Sequence, residues 1–396
     1  MNNPVFKEEN KIIIEENCEE VINILVYQLK NISNAFYLAC LIRNKDIQIF
    51  KYSYETKSFK NIGTIDVISS YTESMKYFYN PLNNKEYFFF ISAGNELEIY
   101  LIKDENNFKK IHKLNYINNG DIDDNNNNNI LELDNSDGPG DDLDDSLSGG
   151  GGFTFANFNF FNVFYNQNDK NVYVIVNYLI MQNPGGGSSF DGYSAKSINI
   201  FIFKDEKLNL SKTFKFDIEF NLSNIIYTKN NCNKKYLIDL NQNKNLILIE
   251  LKSDYNNYQI ENVFNDEINK NKISNFIRSQ YCYDICIIYG KNNFDYLYII
   301  QSNGDKLMII NFTEKTIDKI IYFHELYFTA IHYWNKNYLC LFFWQKGVYI
   351  FDTLNNKIIQ NYKKKDCRGF QSHLLQGKDE GIALFRYYDK IECYFI

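Results

Sequence analysis

Short apolar runs alternate with polar turns along most of this chain, most clearly near its C-terminal end. The runs "LYFTAIHYW" (326–334), "NYLCLFFW" (337–344), "VYIFDT" (348–353) and "IIQNY" (358–362) are rich in β-branched and aromatic residues. The turns between them contain Asn, Lys, Gln and Gly. This spacing predicts four consecutive antiparallel strands joined by tight turns.

The same pattern of four runs recurs along the chain. The complete sets span 21–65, 74–114, 157–216, 224–264, 282–323 and 326–362. Many of the turns between the second and third runs carry Asn, Asp or Gly, which tolerate the positive φ that hairpins require. A last set, 370–396, has only three runs, and "KIIIEE" (11–16) precedes the first set without belonging to it.

The incomplete last set and the unassigned first run together predict a closed ring. Pairing the run at 11–16 with the last set would complete a seventh sheet and remove two exposed edges. We therefore expect an all-β chain, 1–396, that forms one seven-bladed β-propeller of four-stranded antiparallel blades. Two stacked β-sandwich domains are the alternative, since they also contain many short alternating strands.

One segment resembles a known family. "IFDTLNNKII" (350–359) is similar to the end of the third strand in WD-repeat propellers, with Phe351 and Asp352 in place of the Trp-Asp pair. The resemblance covers nearly the whole chain in architecture, but the sets lack the family's Gly-His pair. It implies the propeller shape and the repeat organisation.

Two insertions interrupt the sets. Residues 115–152, between the second and third blades, contain nine Asp, Glu132 and no Lys or Arg, which predicts a disordered acidic loop rich in Asn, Asp and Gly. Because this segment carries a charge of −10 and the chain −7, the remainder carries +3. Residues 183–196 predict a glycine-rich loop within the third blade.

The acidic insertion also contains a partial calcium-binding pattern. Asp121, Asp123, Asn125 and Glu132 occupy positions 1, 3, 5 and 12 of an EF-hand-like loop. Position 6 is Asn126 rather than glycine, and amphipathic helices do not flank the segment. A solvated low-complexity loop is the interpretation we favour, so we expect no metal here.

Other residue types that bear chemistry give no catalytic pattern. His332 and His373 fall in the first strands of the sixth and seventh sets. The first strands of the blades line the central channel of a propeller, so we expect both histidines to be hydrogen-bonded polar residues of the channel wall. "CYDIC" puts Cys282 and Cys286 four residues apart on one strand, about 13 Å, which is too far for both to bind one zinc ion. With no nucleophile elbow or phosphate loop, we expect no enzyme and no cofactor.

The eight cysteines are scattered, and several lie in apolar runs, which favours reduced thiols in an intracellular, cytoplasmic protein without a secretory leader. No uncharged apolar run reaches the roughly 18 residues that cross a bilayer.

The strongest basic patch is the connection "NYKKKDCRGF" (361–370), between the sixth and seventh sets. Its cations, Lys363, Lys364, Lys365 and Arg368, are candidate contacts for an anionic ligand or an acidic partner. Phosphoinositide-binding propellers carry a Phe-Arg-Arg-Gly motif, of which Arg368 and Gly369 are present here.

These observations predict a non-catalytic scaffold that binds other proteins, as a subunit of a larger intracellular assembly. The alternative is a peripheral membrane or phosphoinositide binder that uses the basic turn at 363–368. We expect no nucleic-acid partner, because the body of the chain carries only +3.

Overall fold

The structure is a computed structural model. It describes residues 11–14, 21–32, 35–42, 46–66, 75–92, 96–114, 154–182, 193–220, 224–227, 235–240, 246–251, 257–276, 283–289, 295–301, 304–324, 326–335, 337–343, 345–374, 381–387 and 390–395.

Seven four-stranded antiparallel sheets form the blades, numbered here in chain order. The strands of blades 1 to 3 are β2 (Val21–Tyr27), β3 (Ala35–Ile42), β4 (Ile47–Ser53) and β5 (Ser58–Ile65); β6 (Met75–Asn80), β7 (Lys85–Ser92), β8 (Glu96–Asp104) and β9 (Asn107–Leu114); and β10 (Thr154–Asn166), β11 (Asn171–Gln182), β12 (Tyr193–Lys204) and β13 (Lys207–Phe220).

Blades 4 to 7 follow the same order, except that the first strand of the chain completes the last blade. Their strands are β14 (Asn224–Tyr227), β15 (Lys235–Leu240), β16 (Leu246–Leu251) and β17 (Tyr258–Asn262); β18 (Tyr283–Tyr289), β19 (Asp295–Gln301), β20 (Lys306–Asn311) and β21 (Thr316–Tyr322); β22 (Phe328–Asn335), β23 (Tyr338–Phe343), β24 (Gly347–Asp352) and β25 (Lys357–Tyr362); and β26 (Gly369–Leu374), β27 (Gly381–Arg386), β28 (Ile391–Phe395) and β1 (Lys11–Ile14).

The predicted closure is confirmed. β1 pairs antiparallel with β28, with Ile12 opposite Cys393 and Ile14 opposite Ile391. The first strand of the chain is therefore the fourth strand of blade 7, and it covers an edge that would otherwise be exposed.

The core lies between the blades. Each of seven apolar clusters combines buried side chains from two neighbouring blades. One of them joins Ile14 and Ile391 of blade 7 to Phe36 and Phe50 of blade 1, so the interface that closes the ring is packed like the others. The all-β seven-bladed propeller predicted from the sequence is confirmed.

Polar side chains hold the tight turns in shape. In the turn between β24 and β25, Asp352 Oδ1 accepts the backbone N–H groups of Leu354 at 2.9 Å and Asn355 at 3.2 Å. Asn356 ends this turn with a φ of 49°. Equivalent bonds join Asn80 to Leu82 N–H, Asn166 to Asn168 N–H and Asn311 to Glu314 N–H. The abundance of Asn and Asp in the turns thus has a structural cause.

A helix that the sequence reading missed joins blade 4 to blade 5. Helix α1 (Glu267–Phe276) begins after Asp266, whose Oδ1 accepts the Asn269 N–H at 2.8 Å. The side-chain amide of Asn269 donates to the same carboxylate, and these two hydrogen bonds hold the pKa of Asp266 below its ordinary value. Ile273 and Phe276 are buried against the interface between the two blades.

The strands of blade 3 are longer than the apolar runs from which they were predicted. Its strands contain 12 to 14 residues, whereas those of blade 6 contain 6 to 8. Because β12 begins at Tyr193, the loop predicted at 183–196 is shorter at its C-terminal end, and 193–196 is strand. The predicted acidic loop at 115–152, with Asp121, Asp123, Asn125 and Glu132, lies outside the described residues.

Candidate functional site: the connector face

Antiparallel strands alternate in direction, so the two faces of the ring carry different connections. The connections from one blade to the next and the turns between second and third strands lie on one face, which we call the connector face. The basic turn at 363–368 and helix α1 lie on this face. The other face carries the remaining turns of each blade.

Three of the four predicted cations are exposed on the connector face. Lys363, Lys365 and Arg368 all lie in the connection between β25 and β26. The backbone of Arg368 is held to blade 7, because its N–H donates to the carbonyl of Arg386 at 2.8 Å. The predicted contact of these cations with an anion or an acidic partner stays a prediction.

The fourth predicted cation, Lys364, has a different environment. Only 16% of its side chain is exposed, and its Nζ lies 3.1 Å from Glu392 Oε2 in blade 7. The same ammonium donates to the Tyr394 hydroxyl and lies 4.6 Å from the centre of the Tyr394 ring and 5.4 Å from that of Phe385. Lys364 therefore anchors the basic turn to blade 7.

Glu392 is the acceptor at the centre of this anchor. Its side chain is 7% exposed, and Lys390 Nζ lies 3.2 Å from its Oε1. Burial alone would raise the pKa of Glu392, but the hydrogen bonds and charges of Lys364 and Lys390 lower it, so that it lies below its ordinary value. The carboxylate is charged at neutral pH and is matched by two ammonium groups.

Two glycines of this region lie against neighbouring groups, and Gly347 lies against backbone. Gly347 has a φ of 100°, and a Cβ added there would lie 2.0 Å from the carbonyl oxygen of Tyr362. A Cβ added at Gly369 would lie 2.8 Å from the Arg386 guanidinium. The turn that contains Gln345 and Lys346 is therefore packed tightly against the start of the basic turn.

The abundance of Tyr and Phe predicts exposed aromatic side chains on at least one face, but the sequence does not show which residues these are. Tyr322 is 54% exposed at the end of β21, and Tyr327 is 59% exposed just before β22. Lys306 Nζ lies 5.2 Å from the centre of the Tyr322 ring. Their position next to a turn was the signal that could have singled them out, because aromatic residues inside β-rich runs are usually buried.

The connection that carries Tyr327 is held in place by backbone hydrogen bonds. Phe323 N–H donates to the carbonyl of Asp305 at 2.7 Å, and Phe328 N–H donates to that of Gly304 at 2.9 Å. Phe323 and Phe328 also pack against Phe343, with ring centres 5.8 and 4.5 Å from it. The exposed tyrosines thus stand on a supported segment.

The other candidates from the sequence do not form a reactive site in the described residues. His332 lies against the Phe370 ring, with ring centres 5.5 Å apart, and its Nε2 is buried without a partner. Burial lowers the pKa of His332 to about 4, although a hydrogen bond to the Phe370 backbone acts in the opposite direction. His373 pairs with Ile382 through the backbone, and its side chain is outside the described residues.

Cys286 lies in β18, whereas Cys282 and the side chains of that strand are outside the described residues. Within the part of the chain that the structure describes, no three His, Cys, Asp or Glu side chains are grouped as metal ligands. Likewise, no described helix is long and apolar enough to cross a bilayer.

Comparison with known proteins identifies the fold and no family. No family model matches the chain, and no curated protein matches it in sequence. Among solved structures 1224 chains match, and one of these is BBS1N in complex with ARL6DN. That match has a TM-score of 0.58 and 8% sequence identity, and it covers 96% of this chain and 94% of that chain. At this identity the likeness shows the propeller fold alone.

Proposed function

We propose that this chain is a non-catalytic scaffold that binds other proteins as a subunit of a larger intracellular assembly. The observation that carries the proposal is the connector face, where exposed tyrosines and cations stand on connections fixed by a closed ring. Fixed loops lose little conformational freedom on binding, and this lowers the entropic cost of recognition. Aromatic residues are also enriched in protein interfaces.

Two further observations support this role. The solved propeller BBS1N forms a complex with another protein, ARL6DN, which is an example of protein binding by the same fold. Cys40, Cys340, Cys367 and Cys393 are buried thiols, as is common in a reducing, cytoplasmic environment.

The proposal includes a distant relation to WD-repeat propellers. Asp352 stands where that family has the Asp of its Trp-Asp pair, and here it is 8% exposed and caps the turn after β24. This position and the shared architecture support the relation.

Purification of the tagged full chain from cells that express it, followed by size-exclusion chromatography, tests the scaffold role. We expect one or more proteins to co-elute with it in stoichiometric amounts. Elution of the chain alone, with no protein enriched over a tag-only control, would contradict the proposal.

Binding to an anionic membrane surface is the second candidate, favoured by the exposure of Lys363, Lys365 and Arg368 on one turn. Flotation with vesicles of phosphatidylcholine, with and without phosphatidylinositol 4,5-bisphosphate, separates the two roles. Recovery of the chain with the second vesicle type only, combined with the absence of co-eluting proteins, would favour the membrane role.

A further inference from the structure

The exposed tyrosines and the exposed lysines of the connector face lie on neighbouring connections of blades 5 to 7. Lys346 N–H donates to the carbonyl of Phe343 at 3.2 Å, and Phe343 packs on the segment that carries Tyr327. On its other side, the turn of Lys346 contacts the start of the basic turn through Gly347. We call this the aromatic-basic surface, and its members are Tyr322, Tyr327, Lys346, Lys363, Lys365 and Arg368.

The charge of this surface is predominantly positive. Lys306 adds a cation beside Tyr322, and the acidic residues in the same connections are Asp305, Glu325 and Asp366. Lys364 is not a member of this surface, because its ammonium is held by Glu392 in blade 7. A complementary partner would therefore present negative charge along with apolar groups for the two tyrosines.

The cations are spread along the ring. With Lys306 included, they occur in blade 5, in blade 6 and in the connection to blade 7. Since sheets packed face to face are about 10 Å apart, equivalent points in three successive blades span about 20 Å. A single phosphate group needs several donors that converge on one point, whereas an extended peptide rises about 3.3 Å per residue and would cover this span with about six residues.

We propose that the aromatic-basic surface binds an extended acidic segment of a partner protein, with apolar or aromatic side chains between its carboxylates. The tyrosine rings would contact the apolar side chains, and the lysines and Arg368 would meet the carboxylates. The inference rests on the proposed scaffold role, for which it names the docking surface and the chemistry of the partner.

Selection of random ten-residue peptides displayed on phage, with the purified full chain as the target, tests the proposal. We expect the enriched peptides to contain at least two Asp or Glu together with an apolar or aromatic residue. Binding of the synthesised peptides, followed by fluorescence polarisation, should weaken roughly tenfold to hundredfold in two variants of the surface. These variants are K346E/K363E/K365E and Y322A/Y327A.

Matched controls separate this surface from general charge and from general hydrophobicity. The charge control is K60E/K109E/K319E, made at exposed lysines on the outer strands of blades 1, 2 and 5. It changes the net charge by the same amount as K346E/K363E/K365E. Exposed leucines on the opposite face give L82A/L354A. Both controls should bind the peptides within about twofold of the wild type, and binding should weaken as salt rises from about 0.05 to 0.3 M.

Three outcomes would overturn the proposal. The first is enrichment of neutral or basic peptides. The second is a loss of peptide binding that is equal in the surface variants and the controls. The third is lysine-dependent binding to phosphatidylinositol 4,5-bisphosphate vesicles while no acidic peptide is enriched. Purification of K346E/K363E/K365E from cells distinguishes failure of the proposed docking surface from failure of the proposed scaffold role. If this variant keeps every partner of the wild type, the docking surface is wrong and the scaffold role stands.

Discussion

Replacement of Lys364 by Met tests whether this lysine anchors the basic turn. The substitution keeps an unbranched apolar stem against Phe385 and Tyr394 but removes the ammonium that lies 3.1 Å from Glu392. Removing one member of a buried ion pair costs about 3–5 kcal/mol. Lys364 is 16% exposed and Glu392 keeps Lys390 at 3.2 Å, so we expect a loss of about 2–3 kcal/mol.

Urea unfolding followed by circular dichroism measures this loss, with K363M as the matched control. Lys363 is exposed on the same turn, so its substitution should change the free energy of unfolding by less than about 0.5 kcal/mol. Equal unfolding midpoints for K364M and K363M would refute the anchoring role of Lys364. In a double-mutant cycle with E392Q, the two losses should not add, because each variant removes the same interaction.

The same carboxylate gives this anchor a pH dependence with a definite sign. The pKa of Glu392 is lower in the folded state than its ordinary value of 4.5, so the unfolded chain binds the proton more readily. The stability that Glu392 contributes is present above pH 4.5 and is lost as the pH falls through its folded pKa. The difference in free energy of unfolding between wild type and E392Q should therefore shrink at low pH.

Three further changes are expected to alter the free energy of unfolding, each measured by urea midpoints. G347A should lose about 2–4 kcal/mol, because its φ of 100° strains alanine and its Cβ would lie 2.0 Å from the Tyr362 carbonyl; a loss below about 1 kcal/mol would contradict this packing. D352A should lose about 1–2 kcal/mol with the hydrogen bonds that cap its turn, and an unchanged midpoint would show that the cap is dispensable. Since burial lowers the pKa of His332 to about 4, the unfolded chain takes up its proton first as the pH falls from 6.5, and wild type should lose more stability than H332Q between pH 6.5 and 4. Parallel pH profiles for the two proteins would contradict that burial.

The sequence was enough to predict the architecture, because the period of strands and turns is a local signal repeated along the whole chain. The run at 21–29 became β2, and the spare run at 11–16 became the strand that closes the ring. Helix α1 was missed because its segment is polar apart from a few apolar residues. Its start signal, Asp266 followed three residues later by Asn269, is short and common in loops.

The candidate site was predicted only in part, because exposure and pairing depend on residues that are distant in sequence. Lys363, Lys364 and Lys365 are adjacent and alike in the sequence, and only the position of Glu392, 28 residues further on, makes Lys364 different. Tyr322 lies in a run that reads like the buried strands, yet it is 54% exposed because it ends its blade at the connector face. Which side chains are exposed and which are paired is decided only when the strands are in register and the blades are packed together.

Closure of the ring fixes the connections that carry the aromatic-basic surface, and the pairing of Ile12 with Cys393 tests it most directly. Opposite residues of antiparallel strands have Cα atoms about 4.5–5.5 Å apart, within the range that a disulfide spans. Oxidation of I12C should join residue 12 to the native Cys393, as detected by mass spectrometry of linked peptides, whereas I13C should not form this link because Ile13 faces the other side of its strand. Failure of I12C to form the link, or equal linkage by I13C, would contradict closure by β1.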